Sequence, residues 1–292
     1  MVNGYQEIQF EVEDPVCTIT LNRPEKLNAL TSRMQQELRH ALGEAERRAD
    51  VVGIVITGAG RGFCAGADMG ELRVIQAAGS IAAAEAKTEF AGARAGDPSM
   101  GPDYSRVFTY LLTVRKPIIA AVNGPVAGLG FSLVMFCDLR FAAEDAVFTT
   151  AYAQRGLVAE HGTSWILPRL IGPARALDLL WSGRRFDGRE ALSLGVANAA
   201  VPRERLLTEA QGYVRSLAAN CSPASLMQMK RQVYRHLMMP LGEAMAETQA
   251  LMDESVTQPD FNEGLASFAE RRPPRFARVQ AQAGNATAPR PG

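Results

Sequence analysis

The sequence predicts an α/β protein with a helical C-terminal region. Two nearly continuous apolar segments, 51–57 and 117–122, have the composition of strands that are buried on both faces. Each is followed at once by a glycine-containing loop and then by a segment expected to be helical, an order that indicates an α/β layered core. From Pro202 onward, apolar residues recur at helical spacing almost without interruption.

The other elements are predicted from local patterns. Residues 16–21 alternate with the two-residue period of a strand, which the Asn-Arg-Pro sequence after them would end. Ser32 followed by Gln35 fits a capping box, so we expect a helix to begin there. The apolar segment 131–136, behind the second glycine loop, is also expected to be helical.

These patterns divide the chain into three predicted regions. Residues 1–201 would form the core with the ligand site, 202–276 a helical region, and 277–292 a disordered tail without apolar periodicity. Within the core, residues 71–106 carry alanine-rich helical patches interrupted by glycine and proline. We expect a mobile or variable segment there that lies over another part of the protein.

The composition excludes several classes of protein. The 292 residues carry 31 Lys+Arg and 31 Asp+Glu, so no net charge attracts the chain to nucleic acid or to an anionic membrane. The absence of a signal-peptide pattern and of a long apolar run predicts a cytoplasmic protein with no membrane partner. The scattered cysteines show no metal-binding spacing, which predicts reduced packing residues and no metal. They are Cys17, Cys64, Cys137 and Cys221.

The two glycine loops, 58–68 and 123–130, are the main candidates for a functional site. Neither matches GxGxxG or GxxxxGK[ST], so neither indicates a dinucleotide or nucleotide-phosphate site. The glycines could simply make tight turns. However, each loop ends a buried strand and opens a helix, where backbone N–H groups are unsatisfied and point outward. One N–H from each loop could bind a single oxygen and form an oxyanion hole.

Four motifs carry a resemblance to a known family. Leu27–Leu30 (LNAL), Phe63–Asp68 (FCAGAD), Ala121–Gly130 (AVNGPVAGLG) and Cys137-Asp138 resemble the crotonase superfamily, the enoyl-CoA hydratase/isomerase group. The resemblance extends over about 16–276. It implies a spiral of ββα units, a C-terminal helical region that serves trimerisation, and a CoA thioester bound in an oxyanion hole.

The resemblance also implies which residues form the site. The N–H groups of Ala67 and Leu129 would form the oxyanion hole. Other residues would line the CoA site: Lys26, Leu27, Ala29, Ala65, Asp68 and Met69. Phe268, Arg271 and Arg272 would reach the CoA of a neighbouring subunit in a homotrimer or hexamer. Each charged group has an alternative: Lys26 as an exposed lysine, Asp68 as a helix cap, and the arginines as a solvated helix end.

The acid/base residues depart from the pattern of the family's hydratases. Those enzymes use two glutamates, and this chain has Ser132 and Tyr152 at the corresponding positions. Neither is a general base near neutral pH without special help, although both could contact substrate or pack in the core. An acid follows at Glu160, in a segment that resembles the single-acid site of the family's 3,2-trans-enoyl-CoA isomerases. His161 could orient Glu160, act in a second proton transfer, or be structural.

The sequence favours the first of three functions, and the other two stay open as alternatives. The first is an isomerase in which Glu160 moves a proton between two carbons of an unsaturated acyl-CoA. The second is a hydratase or hydrolase in which Glu160, with or without His161, activates water. The third is a catalytically silent acyl-CoA-binding protein, suggested by the missing glutamate pair. Glu160 could instead cap a helix or pair with Arg155. The resemblance implies no metal or redox cofactor. Coenzyme A would be part of the substrate and not a separate cofactor.

Overall fold

A six-stranded sheet lies at the centre of the fold in the computed structural model, which describes residues 4–279. Eight strands are formed within these residues: β1 (Ile8–Glu13), β2 (Val16–Leu21), β3 (Gly53–Gly58), β4 (Ile118–Val122), β5 (Val126–Ala127), β6 (Leu139–Ala143), β7 (Phe148–Thr149) and β8 (Ala199–Val201). The large sheet has the spatial order β1-β2-β3-β4-β6-β8, and β5 pairs with β7 in a small second sheet.

The large sheet is parallel apart from its first pair. β1 and β2 are antiparallel, whereas β2–β3, β3–β4, β4–β6 and β6–β8 are all parallel. Every residue of β3 and β4 is buried, as expected of central parallel strands. The two strands predicted from continuous apolar runs are therefore confirmed, beginning at Gly53 and Ile118.

Ten α-helices surround the sheets in the described part of the chain. They are α1 (Ser32–Arg47), α2 (Met69–Ala78), α3 (Leu129–Met135), α4 (Thr163–Ile171), α5 (Pro173–Ser182), α6 (Gly188–Leu194), α7 (Leu206–Asn220), α8 (Pro223–His236), α9 (Leu241–Ser255) and α10 (Pro259–Glu270). The chain order β1-β2-α1, β4-β5-α3 and β6-β7-α4 repeats a ββα unit. None of these helices, within residues 4–279, has the length and apolar composition needed to cross a bilayer.

The predicted capping box at the start of α1 is wrong by one residue. The N-cap is Thr31, whose backbone is extended and whose hydroxyl accepts a hydrogen bond from Met34 N at 3.0 Å. Ser32 is the first helical residue. Its hydroxyl is used in a tertiary contact, because it accepts from Ala86 N at 2.6 Å. Because Thr31 and Ser32 are adjacent and both carry hydroxyls, the local sequence does not show which of them caps the helix, and the tertiary contacts decide it.

The segment 71–106 lies along α1. Gln36 Nε2 donates to Ala86 O at 2.7 Å, and Gly96 N donates to Glu46 Oε2 at 3.0 Å. Only its first part is α-helical, up to Ala78, and short 3₁₀ turns follow. The prediction that the segment lies over another part of the protein is confirmed, and its mobility stays a prediction.

The C-terminal helices differ in how they pack. α7 lies against the sheet, where Val214 packs so closely on Gly53 that a Cβ there would lie 2.9 Å from the valine Cγ1. α8, α9 and α10 leave large apolar side chains exposed: Met229, Val233, Leu241, Met245, Met252, Leu265 and Phe268. The division into 1–201 and 202–276 stays a prediction. Residues 277–279 are irregular, and the rest of the predicted tail lies outside the described residues.

Asp138 joins the sheet to α8. Its Oδ2 accepts hydrogen bonds from Ile118 N at 2.7 Å and from Lys230 Nζ at 2.7 Å, and its Oδ1 accepts from Tyr234 OH at 2.9 Å. The Lys230 side chain is only 7% exposed, so the ion pair is largely shielded from water. Asp138, which belongs to one of the four family motifs, therefore has a structural role.

We predict that Asp138→Asn lowers the free energy of unfolding by about 2 kcal/mol, because the amide nitrogen cannot accept the bonds that the second carboxylate oxygen accepts. Urea unfolding at a fixed protein concentration measures the change. Asp50→Asn is the control, since its ion pair with Arg48 is exposed and contributes less than about 1 kcal/mol. Equal effects of the two substitutions would contradict this role of Asp138.

Candidate active site

The two glycine loops are joined to each other by backbone hydrogen bonds. Phe63 N and Cys64 N both approach Pro125 O at 3.1 Å, and Ala127 N donates to Cys64 O at 3.0 Å. The loops follow β3 and β4, which are parallel neighbours, so both leave the sheet at the same edge. The candidate site is built at this edge, between the backbones of the two loops.

Two glycines allow the loops to approach this closely. Gly66 has φ +113°, and a Cβ on it would lie 3.2 Å from Ala127 O and 3.9 Å from Leu129 N. A Cβ on Gly130 would lie 2.5 Å from Cys64 O, which is closer than van der Waals contact allows. The amides that follow Gly66 and Gly128 are thereby brought close together.

The amides of Ala67 and Leu129 are available to a ligand. Their neighbours are used within the protein: Asp68 N donates to Leu30 O at 2.9 Å, and Gly128 N donates to Thr149 O at 3.3 Å. Within residues 4–279, neither the Ala67 N–H nor the Leu129 N–H has a protein acceptor. Leu129 is the first residue of α3, where a helix leaves its N–H groups unsatisfied. Two free donors, one from each loop, can bind one carbonyl oxygen.

The turn before α1 forms one wall beside the first loop. Ala65 N donates to Leu27 O at 2.9 Å, and Leu27 has φ +48°. Asn28 is fully buried, and its side-chain amide donates to Ala59 O at 2.9 Å and to Gly62 O at 2.8 Å. Sequence reasoning assigned no role to Asn28, although it lies in the LNAL motif. It joins this turn to the first loop.

Arg23 is a second residue of this wall that sequence reasoning missed. Its Nη1 donates to Ala29 O at 2.7 Å, and its Nη2 pairs with Asp68 Oδ2 at 3.0 Å. Burial by itself raises the pKa of Asp68, but hydrogen bonds from Gly70 N and Arg23 together hold this pKa below its ordinary value. Asp68 is also the N-cap of α2, so the helix-capping alternative is observed. Lys26 is exposed.

Other predicted CoA-binding positions are open to solvent in a single subunit. Ala65 is exposed, Met69 is 62% exposed at the start of α2, and Phe268 is 86% exposed on α10. Arg271 ends α10 and is exposed, whereas Arg272 pairs with Glu263 at 2.6 Å. The CoA contacts of these residues stay predictions.

Ser132 and Tyr152, at the positions of the hydratase glutamates, meet in a buried group of hydroxyls. Ser132 Oγ lies 2.6 Å from Tyr152 OH and 2.9 Å from Thr163 Oγ1. Tyr152 OH also donates to Gly128 O at 3.0 Å. We refer to Ser132, Tyr152 and Thr163 as the hydroxyl cluster. Thr163 was missed in the sequence, because a single threonine has no recognisable signal.

Glu160 lies close to this cluster and has a free carboxylate. Within the described chain it forms no side-chain hydrogen bond or ion pair, and Arg155 donates to Ala151 O at 2.9 Å instead. Its backbone carbonyl, not its side chain, accepts from Thr163 N at 2.9 Å. Burial raises the pKa of Glu160. The pKa of Tyr152 is also raised, mainly by burial of its own hydroxyl and in addition by the nearby charge of Glu160. Neither structural alternative for Glu160 is observed.

His161 has a strained backbone, with φ +49°. Its ring packs edge-on against Phe108, with centroids 5.9 Å apart. Burial lowers the pKa of His161, which favours the neutral imidazole near pH 7. The ring is thus a packed group that follows Glu160 in the sequence.

Comparison with known proteins places the chain in a family. A sequence model of the family described as "Enoyl-CoA hydratase/isomerase" matches residues 11–279. The chain belongs to the enoyl-CoA hydratase/isomerase family. It is 34% identical over 272 residues to "Probable enoyl-CoA hydratase echA8" of Mycobacterium bovis, covering 93% of this chain and 98% of that protein. It is 31% identical over 275 residues to "1,2-epoxyphenylacetyl-CoA isomerase" of Escherichia coli, covering 92% and 97%.

A solved structure of the family confirms the fold. The crystal structure of an enoyl-CoA hydratase from Bacillus anthracis superimposes with a TM-score of 0.81 at 26% identity, covering 94% of this chain and all of that chain. The α/β, crotonase-like fold predicted from the sequence is therefore confirmed. Among the relatives compared, several are named enoyl-CoA hydratases, and one is named an isomerase.

We predict that Leu129→Pro lowers kcat/KM by roughly a hundredfold, because it removes one oxyanion donor, which contributes about 3 kcal/mol. Proline is well tolerated at the first position of a helix, where Leu129 lies. Steady-state kinetics with an acyl-CoA substrate measures the effect, and circular dichroism checks the fold.

Leu129→Ala is the matched control. It removes the same side-chain packing and keeps the N–H, so its activity should stay much nearer that of the wild type. Ala67→Ser, which also keeps the main-chain donor, should be mild. A folded Leu129→Pro protein as active as Leu129→Ala would show that this amide is not in the site.

Proposed function

We propose that this member of the enoyl-CoA hydratase/isomerase family shifts the double bond of an unsaturated acyl-CoA, with Glu160 as the proton shuttle. The observation that carries the proposal is that Glu160 is the acid available at the site, while hydroxyl residues occupy the two glutamate positions of hydratases. Glu160 is half-buried and unpartnered among the described residues, and the two hydratase glutamate positions are occupied by buried hydroxyls.

The proposed reaction begins with the thioester carbonyl bound to the N–H groups of Ala67 and Leu129. These donors stabilise the negative charge that develops on the carbonyl oxygen when the C2 proton of a 3-enoyl-CoA leaves. Glu160 takes this proton, and the electrons delocalise over C2 to C4 as a dienolate. Glu160 then returns the proton at C4, which leaves a double bond between C2 and C3. The proton balance closes without water, metal or redox cofactor.

The environment of Glu160 suits this role. A carboxylate that is partly shielded from water holds its proton more strongly than a solvated one, and burial raises the pKa of Glu160 in this way. A base whose pKa is nearer neutrality is better matched to both taking and returning a proton. The absence of an ion-pair partner among the described residues leaves both carboxylate oxygens available to the substrate.

Hydration is the second candidate, and the names of most relatives favour it. Glu160 would then activate a water molecule, with the neutral imidazole of His161 as a neighbouring proton acceptor or donor. Ser132 and Tyr152 cannot take the place of the missing carboxylates, because their hydroxyls are hydrogen-bonded to each other inside the protein. Mass spectrometry of acyl-CoA products separates the candidates, since hydration adds one water and isomerisation leaves the mass unchanged.

We further propose that the chain assembles as a homotrimer or a dimer of trimers. The support is the exposed apolar surface of α8, α9 and α10, where Leu241 is 77% exposed and Phe268 is 86% exposed. Surfaces of this kind are typical of subunit interfaces.

We predict that light scattering at micromolar concentration gives a mass near three or six times that of the chain. Leu241→Glu together with Met245→Glu should shift the population toward smaller species, because both side chains are exposed on one helix. Glu243→Gln, at an exposed position of the same helix, is the control and should leave the assembly intact. A stable wild-type monomer would refute the proposal.

We predict that Glu160→Gln lowers the isomerisation rate of a 3-enoyl-CoA by about a hundred- to ten-thousandfold, the range for loss of a general base. Glutamine keeps the shape of the side chain but cannot accept a proton. Binding of the CoA ester should change little, because other groups form the oxyanion hole. Glu85→Gln, an exposed acid on the 71–106 segment, is the matched control and should retain activity.

The pH dependence provides a second measurement of the same prediction. Because burial raises the pKa of Glu160, its basic form should be lost as pH falls through a value above the ordinary 4.5. Wild-type kcat/KM should fall with that ionisation, and the residual activity of Glu160→Gln should not show it. Unchanged isomerisation in Glu160→Gln would assign the base to another acid, and efficient hydration by the wild type would favour the second candidate.

A further inference from the structure

The amide of Leu129 and the carbonyl of Gly128 belong to one peptide group. A trans peptide is planar, so its C=O and N–H point in opposite directions. Whatever holds Gly128 O therefore also sets the direction of the Leu129 N–H. Gly128 is the N-cap of α3, with φ +49° and ψ −117°, so on the helix side this peptide is held by the first hydrogen bond of α3 and any further restraint comes from outside the helix.

Three polar groups lie close to Gly128 O. Ser132 N lies 3.0 Å away in the first hydrogen bond of α3, and Ser132 Oγ lies 3.4 Å away. Tyr152 OH, from a different part of the chain, lies 3.0 Å away. The tyrosine bond reaches the peptide from outside the helix and so restricts its rotation.

The hydroxyl cluster orders these donors. Thr163 can donate to Ser132 at 2.9 Å, Ser132 to Tyr152 at 2.6 Å, and Tyr152 to Gly128 O at 3.0 Å, an arrangement that uses each hydroxyl proton once. All three side chains are buried, at 0%, 2% and 0% exposure for Ser132, Tyr152 and Thr163. Buried hydrogen bonds of this kind are stronger than exposed ones and reinforce each other.

The cluster also contacts the segment that carries Glu160. Thr163 is the first residue of α4, and its amide donates to Glu160 O at 2.9 Å. His161 and Gly162 between them have φ values of +49° and +82°, so the turn is held in a tight, unusual conformation. The same three hydroxyls therefore connect the oxyanion donor on one side with the proposed base on the other.

We propose that Ser132, Tyr152 and Thr163 are positioning residues that turn the Leu129 N–H toward the thioester oxygen and hold the Glu160 segment beside it. This inference rests on the proposed function, specifically on the oxyanion hole. It assigns a task to the positions at which hydratases carry glutamates. Both side chains are buried, and Tyr152 supports the donor peptide through its hydrogen bond to Gly128 O.

The test measures how strongly the protein polarises a bound thioester carbonyl. Cinnamoyl-CoA is the probe, because its conjugated absorption band moves to longer wavelength when its carbonyl oxygen accepts strong hydrogen bonds. This readout depends on the donors and not on Glu160, so it separates the hole from the choice of reaction. Turnover of a 3-enoyl-CoA is measured in parallel, with kcat and KM determined separately.

Tyr152→Phe and Thr163→Val should each reduce the red shift and lower kcat by about tenfold, a part of the effect of losing a donor altogether. KM should stay within a few-fold of the wild type, because most CoA contacts lie elsewhere. Thr163→Ser keeps the hydroxyl and should preserve both readouts. Thr57→Val is the control, since it also removes a buried hydroxyl that donates to a backbone carbonyl, at 2.9 Å from Ala121 O, but lies in β3.

The outcomes are distinguishable. A full red shift in the wild type that persists unchanged in folded Tyr152→Phe and Thr163→Val would overturn the positioning role alone. A wild type that gives no red shift at saturating cinnamoyl-CoA would remove the oxyanion hole, and the positioning role with it. Equal losses in Thr57→Val would show a general effect of destabilisation and would also overturn the proposal. Loss in Thr163→Val with recovery in Thr163→Ser would support it.

Discussion

The close contact between two loop backbones is the constraint on which the site depends. Cys64 is at the centre of this contact, because its carbonyl accepts from Ala127 N at 3.0 Å and would lie 2.5 Å from a Cβ on Gly130. Any side chain at Gly130 would push the loops apart. Since the proposed oxyanion donors are main-chain groups, their separation is set by this packing of the two loop backbones.

The sheet brings these loops together. Ile54 to Ile56 of β3 pair in parallel with Ile118 to Ala120 of β4, so the chain leaves both strands at the same edge. Parallel pairing needs long crossover connections, which here include α2 and the 71–106 segment. The segment lies on α1 and covers the core while β4 returns beside β3. The fold therefore places two distant loops side by side at the edge where ligands of α/β proteins commonly bind.

Charge is distributed unevenly around this edge. Beside the first loop, Arg23 and Asp68 are paired with each other and with the backbone, which keeps them in fixed positions. Beside the second loop, the hydroxyl cluster is neutral and buried, and the Glu160 carboxylate near it has no ion-pair partner among residues 4–279. A single carboxylate among neutral groups can move a proton without competition from a second acid. This arrangement is the physical basis for preferring one proton shuttle over two-acid hydration.

Three of the strands (β2, β3 and β4), the two glycine loops and the family were predictable from the sequence, because apolar periodicity and glycine requirements are local properties that short motifs record. The partners of individual polar side chains were decided only by the tertiary structure. Ser132 and Thr163 are 31 residues apart and meet through the packing of α3 and α4. Likewise Thr31, not Ser32, caps α1, and the Ser32 hydroxyl instead accepts a hydrogen bond from Ala86 N. Such choices depend on long-range contacts, and no local pattern contains them.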